Sequence, residues 1–356
     1  MKYESLDSLV ERVVQEHARK EDMLADTRRM SVAVEVDEED GNAVNLTVDD
    51  EGGLTTIAPS GHMLGQMATD LGIPKRYFDR MKVDAPDLFR SNVHHWLYEE
   101  PKRRMLRTYK VDESTFNGRA WLSDRYRRLD NIEIATRLLP EFERLPEEVE
   151  FHNASITDER FYLRATFPRM TQDVKVGDAV TWGVQIRNSE VGGATFAIES
   201  FLLQLICKNG MVVTKALNAR HIGKRLDDVL SDEAVQADDH AFWLAARDTL
   251  RASMDEAQFE QVVNTLRETT NGTKIQNVPK ATERLAKTLS LSEEEKDVVL
   301  TNIAAGGDLT RWGAISAITN AAQTVESFDR GVELEELGWN LAELPQRDWE
   351  RIAVAA

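Results

Sequence analysis

The chain has 356 residues, 42% hydrophobic and 30% charged, a globular composition with room for two or three domains. Its 44 Lys+Arg against 62 Asp+Glu leave a net charge of −18. That excludes a protein coated evenly in nucleic acid, because such a charge repels phosphate at long range. No apolar run approaches the roughly 20 residues of a bilayer span, and the opening segment MKYESLDSLVERVVQEH has no apolar signal core. The single cysteine, Cys207, has no intrachain partner, which predicts a reducing, cytoplasmic setting and no membrane partner.

Residues 5–27 read as one amphipathic helix, with Leu6, Leu9, Val10, Val13 and Val14 in the helical period. A hairpin follows. SVAVEV (31–36) and NLTV (45–48) alternate about an acidic turn from Asp37 to Asn42. That turn lacks the spaced oxygen ligands and closing glutamate of a calcium loop, so it reads as a solvated tip. Ser60 caps a helix that stops at Gly72, and Pro74 restarts a short one, KRYFDRM. The second helix is too short to favour DNA reading over a simple αα corner. Residues 86–99 form a further helix, with Leu88, Val93, Trp96 and Leu97 inward. The adjacent His94 and His95 project about 100° apart on it and cannot chelate one metal together.

Arg103 to Asn131, RRMLRTYKVDESTFNGRAWLSDRYRRLDN, is the basic exception in an acidic chain. Residues 90–128 hold 10 Lys+Arg and 5 Asp+Glu, whereas residues 1–60 hold 6 and 15. Arginines interleave with Tyr109, Phe116, Trp121 and Tyr126. The stretch reads as two strands, about Arg104 to Lys110 and Arg119 to Ser123, turning at Asn117-Gly118. It then leads into a helix from Ile132 to Leu139 capped by Asp130 or Asn131. Arginines that hold phosphate beside aromatics that stack on bases make a single-strand surface. The competing reading is that the same arginines pair with carboxylates and lend their stems to packing.

From Glu148 to Thr214 strands dominate: 148–156, 161–167, 180–187, the apolar run 201–207 (a central strand or a short buried helix), and 211–213 after Asn209-Gly210. Gln204 inside that run must find buried partners. Cys207 has no histidine nearby in sequence to activate it. Arg220 to Arg225 is a second basic run. Helices follow: Asp232 to about Thr269, broken at Asn271-Gly272, then 279–289. Ser292 with Glu295 makes a capping box, Gly306-Gly307 a hinge, and 309–325 a helix with Trp312, Ile315, Ile318 and Ala322 on one face. Trp339, Leu341 and Trp349 predict a tail docked on the body or on a second protomer. No phosphate-binding loop, dinucleotide glycine motif, His-Glu-x-x-His or Gly-x-Ser-x-Gly is present.

Taken together, IPKRYFDRM, NVHHWL, RMLRTY with GRAWLSDRYRRLDN, FLLQLICKNGMVV and LTRWGAISAITNAA resemble a family of phage- and plasmid-encoded proteins known as a domain of unknown function, over roughly residues 60 to 340. The resemblance implies a mobile-element origin and an intracellular role, and it supplies no active site. The expected fold is α+β: a mostly antiparallel central sheet, helices before it and a helical C-terminal region. The expected domains are 1–58, 59–230 and 231–356. The expected function is non-catalytic binding of single-stranded DNA in replication or recombination by an annealing-protein-like homo-oligomer. Lys102, Arg103, Arg104, Arg107, Arg125, Arg127 and Arg128 would grip backbone, with Trp121 or Tyr126 stacking. The alternative is an acidic interaction module directed at host proteins. No catalytic residue, metal or cofactor is assigned.

Overall fold

A computed structural model describes residues 5–35, 42–50, 53–205, 209–213 and 232–354. The expectations for the acidic turn within 36–41, for Cys207 and for the basic run 220–225 lie outside the described residues. In chain order the elements are α1 (Leu6–Arg19), β1 (Lys20–Asp26), β2 (Met30–Glu35), β3 (Ala43–Asp50), β4 (Gly53–Pro59), α2 (Gly61–Asp70), α3 (Lys75–Asp84), α4 (Pro86–Glu99), β5 (Arg103–Lys110) and β6 (Thr115–Ser123). A helical segment comes next, α5 (Asn131–Glu133) and α6 (Leu139–Phe142) joined by one π turn over Ile134–Leu138. Then come β7 (Glu150–Ile156), β8 (Phe161–Lys175), β9 (Asp178–Asn188), β10 (Ala197–Gln204) and β11 (Asn209–Val213). The chain closes with α7 (Asp232–Ala252), α8 (Glu256–Thr269), α9 (Val278–Leu289), α10 (Glu293–Gly306), α11 (Arg311–Ala321), α12 (Phe328–Glu343) and α13 (Gln346–Ala353).

The α+β class holds, with two sheets in place of one. The first has the order β1-β5-β6-β4-β3-β2, antiparallel except for the β4–β6 pair; the second, β11-β10-β9-β8-β7, is antiparallel throughout. The expected domain boundary at 58–59 falls inside this first sheet. It cuts β4, which pairs with β6, and it separates β1 from its partner β5. The expected helix over 5–27 also stops early, at Arg19, because Lys20 to Asp26 pair residue by residue with Tyr109 to Arg103. Asn117-Gly118 is not the hairpin turn. Both lie inside β6, and the chain turns at 111–114, where Asp112 Oδ1 accepts the amides of Ser114 and Thr115. The long helix expected over 232–269 breaks at residues 253–255, where Asp255 caps α8.

The first sheet packs α2, α3 and α4 on one face, through Ile57, Met63, Phe78, Phe89, Val93, Leu97, Leu106 and Trp121. Leu88, expected inward, is 48% exposed, and Phe89 takes its place. In the second sheet both faces are buried. Phe161, Leu163 and Ala165 of β8 enter the main core, while Tyr162 packs with Phe328 and Val332 of α12. Beside Tyr162, Arg164 forms a bidentate pair with Glu335 and donates from Nε to Gln185 at 2.7 Å. The apolar run at 201–204 is a strand, and Gln204 donates to Asp178. Trp312 donates to the other oxygen of Asp178 at 2.7 Å. The tail docks on its own chain: Trp349 is buried and donates to the Thr273 carbonyl at 2.9 Å. Among the described residues no helix is long and apolar enough to cross a membrane.

Gly118 is needed for a close approach. A Cβ there would stand 2.5 Å from Met63 Sδ, 2.7 Å from Ile57 Cγ2 and 3.2 Å from Pro59 Cα. Gly61, at the start of α2, has nothing within 4 Å. Gly118→Ala should therefore cost about 1–3 kcal/mol through overpacking, while Gly61→Ala should be neutral or gain about 0.4–1 kcal/mol. Urea unfolding of both variants checks the contrast; equal effects would mean that β6 does not seat against α2 as described.

Candidate functional site

The basic stretch supplies the first candidate, and each of its cations has a definite place. β5 and β6 pair with one irregularity: Arg107 faces Ala120 and Thr108 faces Gly118, so Arg119 is the extra residue of a bulge. Arg107 has no exposed surface. Its Nε donates to Asp22 at 3.2 Å, its Nη1 to the Glu190 carbonyl at 2.9 Å and its Nη2 to Asp130 at 2.5 Å. Glu190 lies in the β9–β10 loop with a side chain 1% exposed. It takes Lys20 Nζ and the Asn131 amide on Oε1, and Arg119 Nη1 stands 2.9 Å from Oε2. The Arg119 guanidinium also lies over the Tyr109 ring at 4.2 Å. This network crosses from the first sheet to the second.

The neighbouring cations are held in the same way. Arg104 forks onto Asp70, Lys102 reaches Asp70 and Glu100, and Trp121, 3% exposed, donates its indole N–H to Asp70 at 3.0 Å. Arg127 meets Asp238 at 3.2 Å and Asp239 at 2.9 Å, with its guanidinium over Phe242. Tyr126 donates its hydroxyl to the Ser189 carbonyl and packs beside Met105, Leu122 and Val191. Arg128 contacts Asp22 at 3.4 Å, and Lys110 contacts Glu21 at 3.4 Å. The nine residues expected to grip backbone and stack thus differ in how far they are exposed. Arg107 and Trp121 are interior, the Tyr126 hydroxyl is spent on the scaffold, and Arg104 and Arg127 are partly buried ion-pair partners. Arg103, Arg125 and Arg128 remain exposed. Arg103 pairs in register with Asp26, which brings the exposed Arg28 and Arg29 to the same end of the sheet. Those two were not picked out by local composition, because they sit in the acidic first sixty residues.

A second candidate has the opposite sign. α1, the α5–α6 segment and the start of β7 enclose a groove of about 760 Å³. Leu6, Val10, Phe142, Leu145, Val149 and Phe151 give it an apolar lining, and Asp7, Glu11, Glu143 and Glu147 stand round it. Glu147 Oε2 is buried without a hydrogen-bond partner, with Arg169 the nearest cation at 3.9 Å. The sequence signal was present in PEFERLPEEVEF, where glutamates alternate with Phe, Leu and Val. Among the described residues no group of three or more His, Cys, Asp or Glu converges to hold a metal ion. His94 is a structural residue whose Nε2 accepts the Val32 amide at 2.8 Å.

The buried network has a pH signature. Burial alone would raise the Glu190 carboxyl, but Lys20, Arg119 and Arg107 overrule it and bring it from 4.5 down to about 2. A depressed carboxylate adds stability that is complete above its unfolded value and is lost as pH falls through the folded one. Glu190→Gln should thus cost about 3–5 kcal/mol at neutral pH, since it strands buried cations. The gap from wild type should narrow as pH falls from 4.5 toward 2. Urea unfolding at pH 7, 4.5 and 3 tests this; a gap independent of pH would show that Glu190 is not ionised in the fold.

Compared with protein-family models, with curated proteins and with solved structures, the chain matches none of them.

Proposed function

We propose that this chain is a non-catalytic interaction protein whose partners are basic segments of other proteins, received on its acidic surface. The observation that carries the reading is the internal use of the basic stretch. Lys102, Arg104, Arg107, Lys110, Arg119, Arg127 and Arg128 are each set against carboxylates of their own chain, within a total charge of −18. The largely buried guanidiniums of Arg104, Arg107 and Arg119, already set on carboxylates, have little to exchange for phosphate, so their share of the counterion release that drives nucleic-acid binding is small. The net field instead raises the encounter rate with cationic partners. The resemblance to phage- and plasmid-encoded proteins makes host proteins the partners to test first.

Single-stranded DNA remains a second reading, favoured by one observation: Arg28, Arg29, Arg103 and Arg125 are exposed at one end of the six-stranded sheet. One pair of titrations separates the two. A labelled dT30 oligonucleotide and a labelled Lys/Leu amphipathic peptide are titrated with the chain at increasing salt. The peptide should bind, with affinity falling as salt rises, and dT30 should show no saturable binding near 100 mM salt. The reverse order overturns the proposal. In that event Arg103→Glu with Arg125→Glu should weaken dT30 at least tenfold and reduce the salt slope by about 1.4, at roughly 0.7 per lost phosphate contact.

A further inference from the structure

The groove between α1 and the α5–α6 segment combines an apolar lining with a rim of carboxylates. In three other recesses among the described residues the carboxylates are already engaged: beside Asp178 and Asp308, Lys175 pairs with Asp308; in the recess of Asp158, Glu159, Glu326 and Asp329, His62 meets Glu159 and both Arg160 and Tyr162 meet Asp329; and at His62 and Asp70, Asp70 holds Lys102, Arg104 and Trp121.

From this geometry we infer that the groove is the docking site for a basic amphipathic helix of a partner protein; the inference rests on the interaction reading above and names its site and ligand. Two features select that occupant. The first is shape. Leu6 and Val10 stand one turn apart on α1, and Leu139 and Phe142 stand one turn apart on the facing helical segment. Two apolar rows at helical spacing suit a third helix laid between them, which reads as anchors at i, i+3, i+4 and i+7. The second is charge. Asp7, Glu11 and Glu143 are exposed on the rim. Glu147 adds a carboxylate oxygen that is buried yet accepts no hydrogen bond. Arg144 is held by Glu141, and Arg169 stands 3.9 Å from Glu147, so neither neutralises the rest of the rim. An apolar stripe of the partner would fill the floor while lysines or arginines beside it meet the rim. A second copy of this chain would bring another −18 to that rim, and an anionic oligonucleotide or an acidic helix would meet the same repulsion.

The test uses the full chain and a fluorescein-labelled 18-residue helix of leucine and lysine with all leucines on one face. Its control is a peptide of the same composition with the leucines dispersed. Fluorescence anisotropy is measured on wild type, on Glu11→Lys with Glu143→Lys, and on Glu294→Lys with Asp297→Lys in α10, which is not part of the groove. The rim pair should weaken the amphipathic peptide at least tenfold, the α10 pair should stay within twofold, and the dispersed peptide should bind wild type at least tenfold more weakly than the amphipathic one. A photocrosslinking leucine in the peptide should mark residues 6–11 and 139–151 of the wild-type chain, so the outcome does not depend on a variant alone. Equal losses from both charge pairs would overturn the groove as the site while leaving general acidic binding intact. No binding of either peptide would overturn both readings. Self-association of wild type, abolished by the rim pair in sedimentation velocity, would overturn the stated occupant in favour of a second copy.

Discussion

The structure depends on one buried electrostatic knot. Arg107, with no exposed surface, holds Asp22 of β1, Asp130 at the head of α5 and the Glu190 carbonyl, while the Glu190 carboxylate holds Lys20 and Arg119. Stripping water from so many charges costs several kcal/mol for each ion, and the cost is offset only when the geometry is nearly saturated. Here it is, apart from the 2.9 Å approach of Arg119 to Glu190, which lacks hydrogen-bond geometry. The knot joins the first sheet to the loop between β9 and β10 and positions α5. The two sheets therefore meet through this polar network and, beside it, through the apolar contact of Met105, Leu122 and Tyr126 with Val191. Arginines spent in the network are withdrawn from any ligand.

How far the fold could be read in advance follows from the range of each signal. Helix ends were legible where the capping group is local: Ser60 accepts the Met63 amide, Ser292 and Glu295 form a reciprocal box, and Gly307 takes a left-handed conformation at the end of α10. The strands of the second sheet were legible because their apolar runs are buried on both faces. The failures were those in which a distant partner overrides a local preference. Lys20 to Asp26 continue the polar character of α1 without a helix breaker, and become a strand because β5 offers an edge, pairing Lys20 with Tyr109 and Asp26 with Arg103. Asn117-Gly118 has the composition of a turn, but the glycine is there so that β4 and α2 can come close.

The same distance problem governs the basic stretch. Ten cations in a window of thirty-nine residues make a basic segment on paper. Charge counted along a chain is not potential on a surface, however. The partner carboxylates of Arg107 lie 85 and 23 residues away, that of Arg104 lies 34 away, and Asp239 lies 112 from Arg127. Of these only Asp130 falls within the stretch Arg103 to Asn131. Arg28 and Arg29 were invisible for the mirror-image reason: they fall in an acidic window, yet the pairing of β1 with β5 carries them to the exposed end beside Arg103.

Once the arginines are accounted for, the unspent electrostatics belong to the carboxylates, and the question becomes where they could act selectively. A uniformly acidic surface attracts every cation and distinguishes few, because exposed pairs contribute about 0–1 kcal/mol and are screened over about 10 Å at 0.1 M salt. Selectivity needs an apolar contact whose shape rejects most candidates, with charge used to orient the remainder. The groove beneath α1 combines the two: side chains from three segments form a recess, and the glutamates interleaved with them leave one carboxylate oxygen without a donor. Affinity and the rejection of misfits would come from the floor, and orientation from the rim. The acidity that weighs against a nucleic-acid role would then speed the approach of the right protein segment without holding the wrong one.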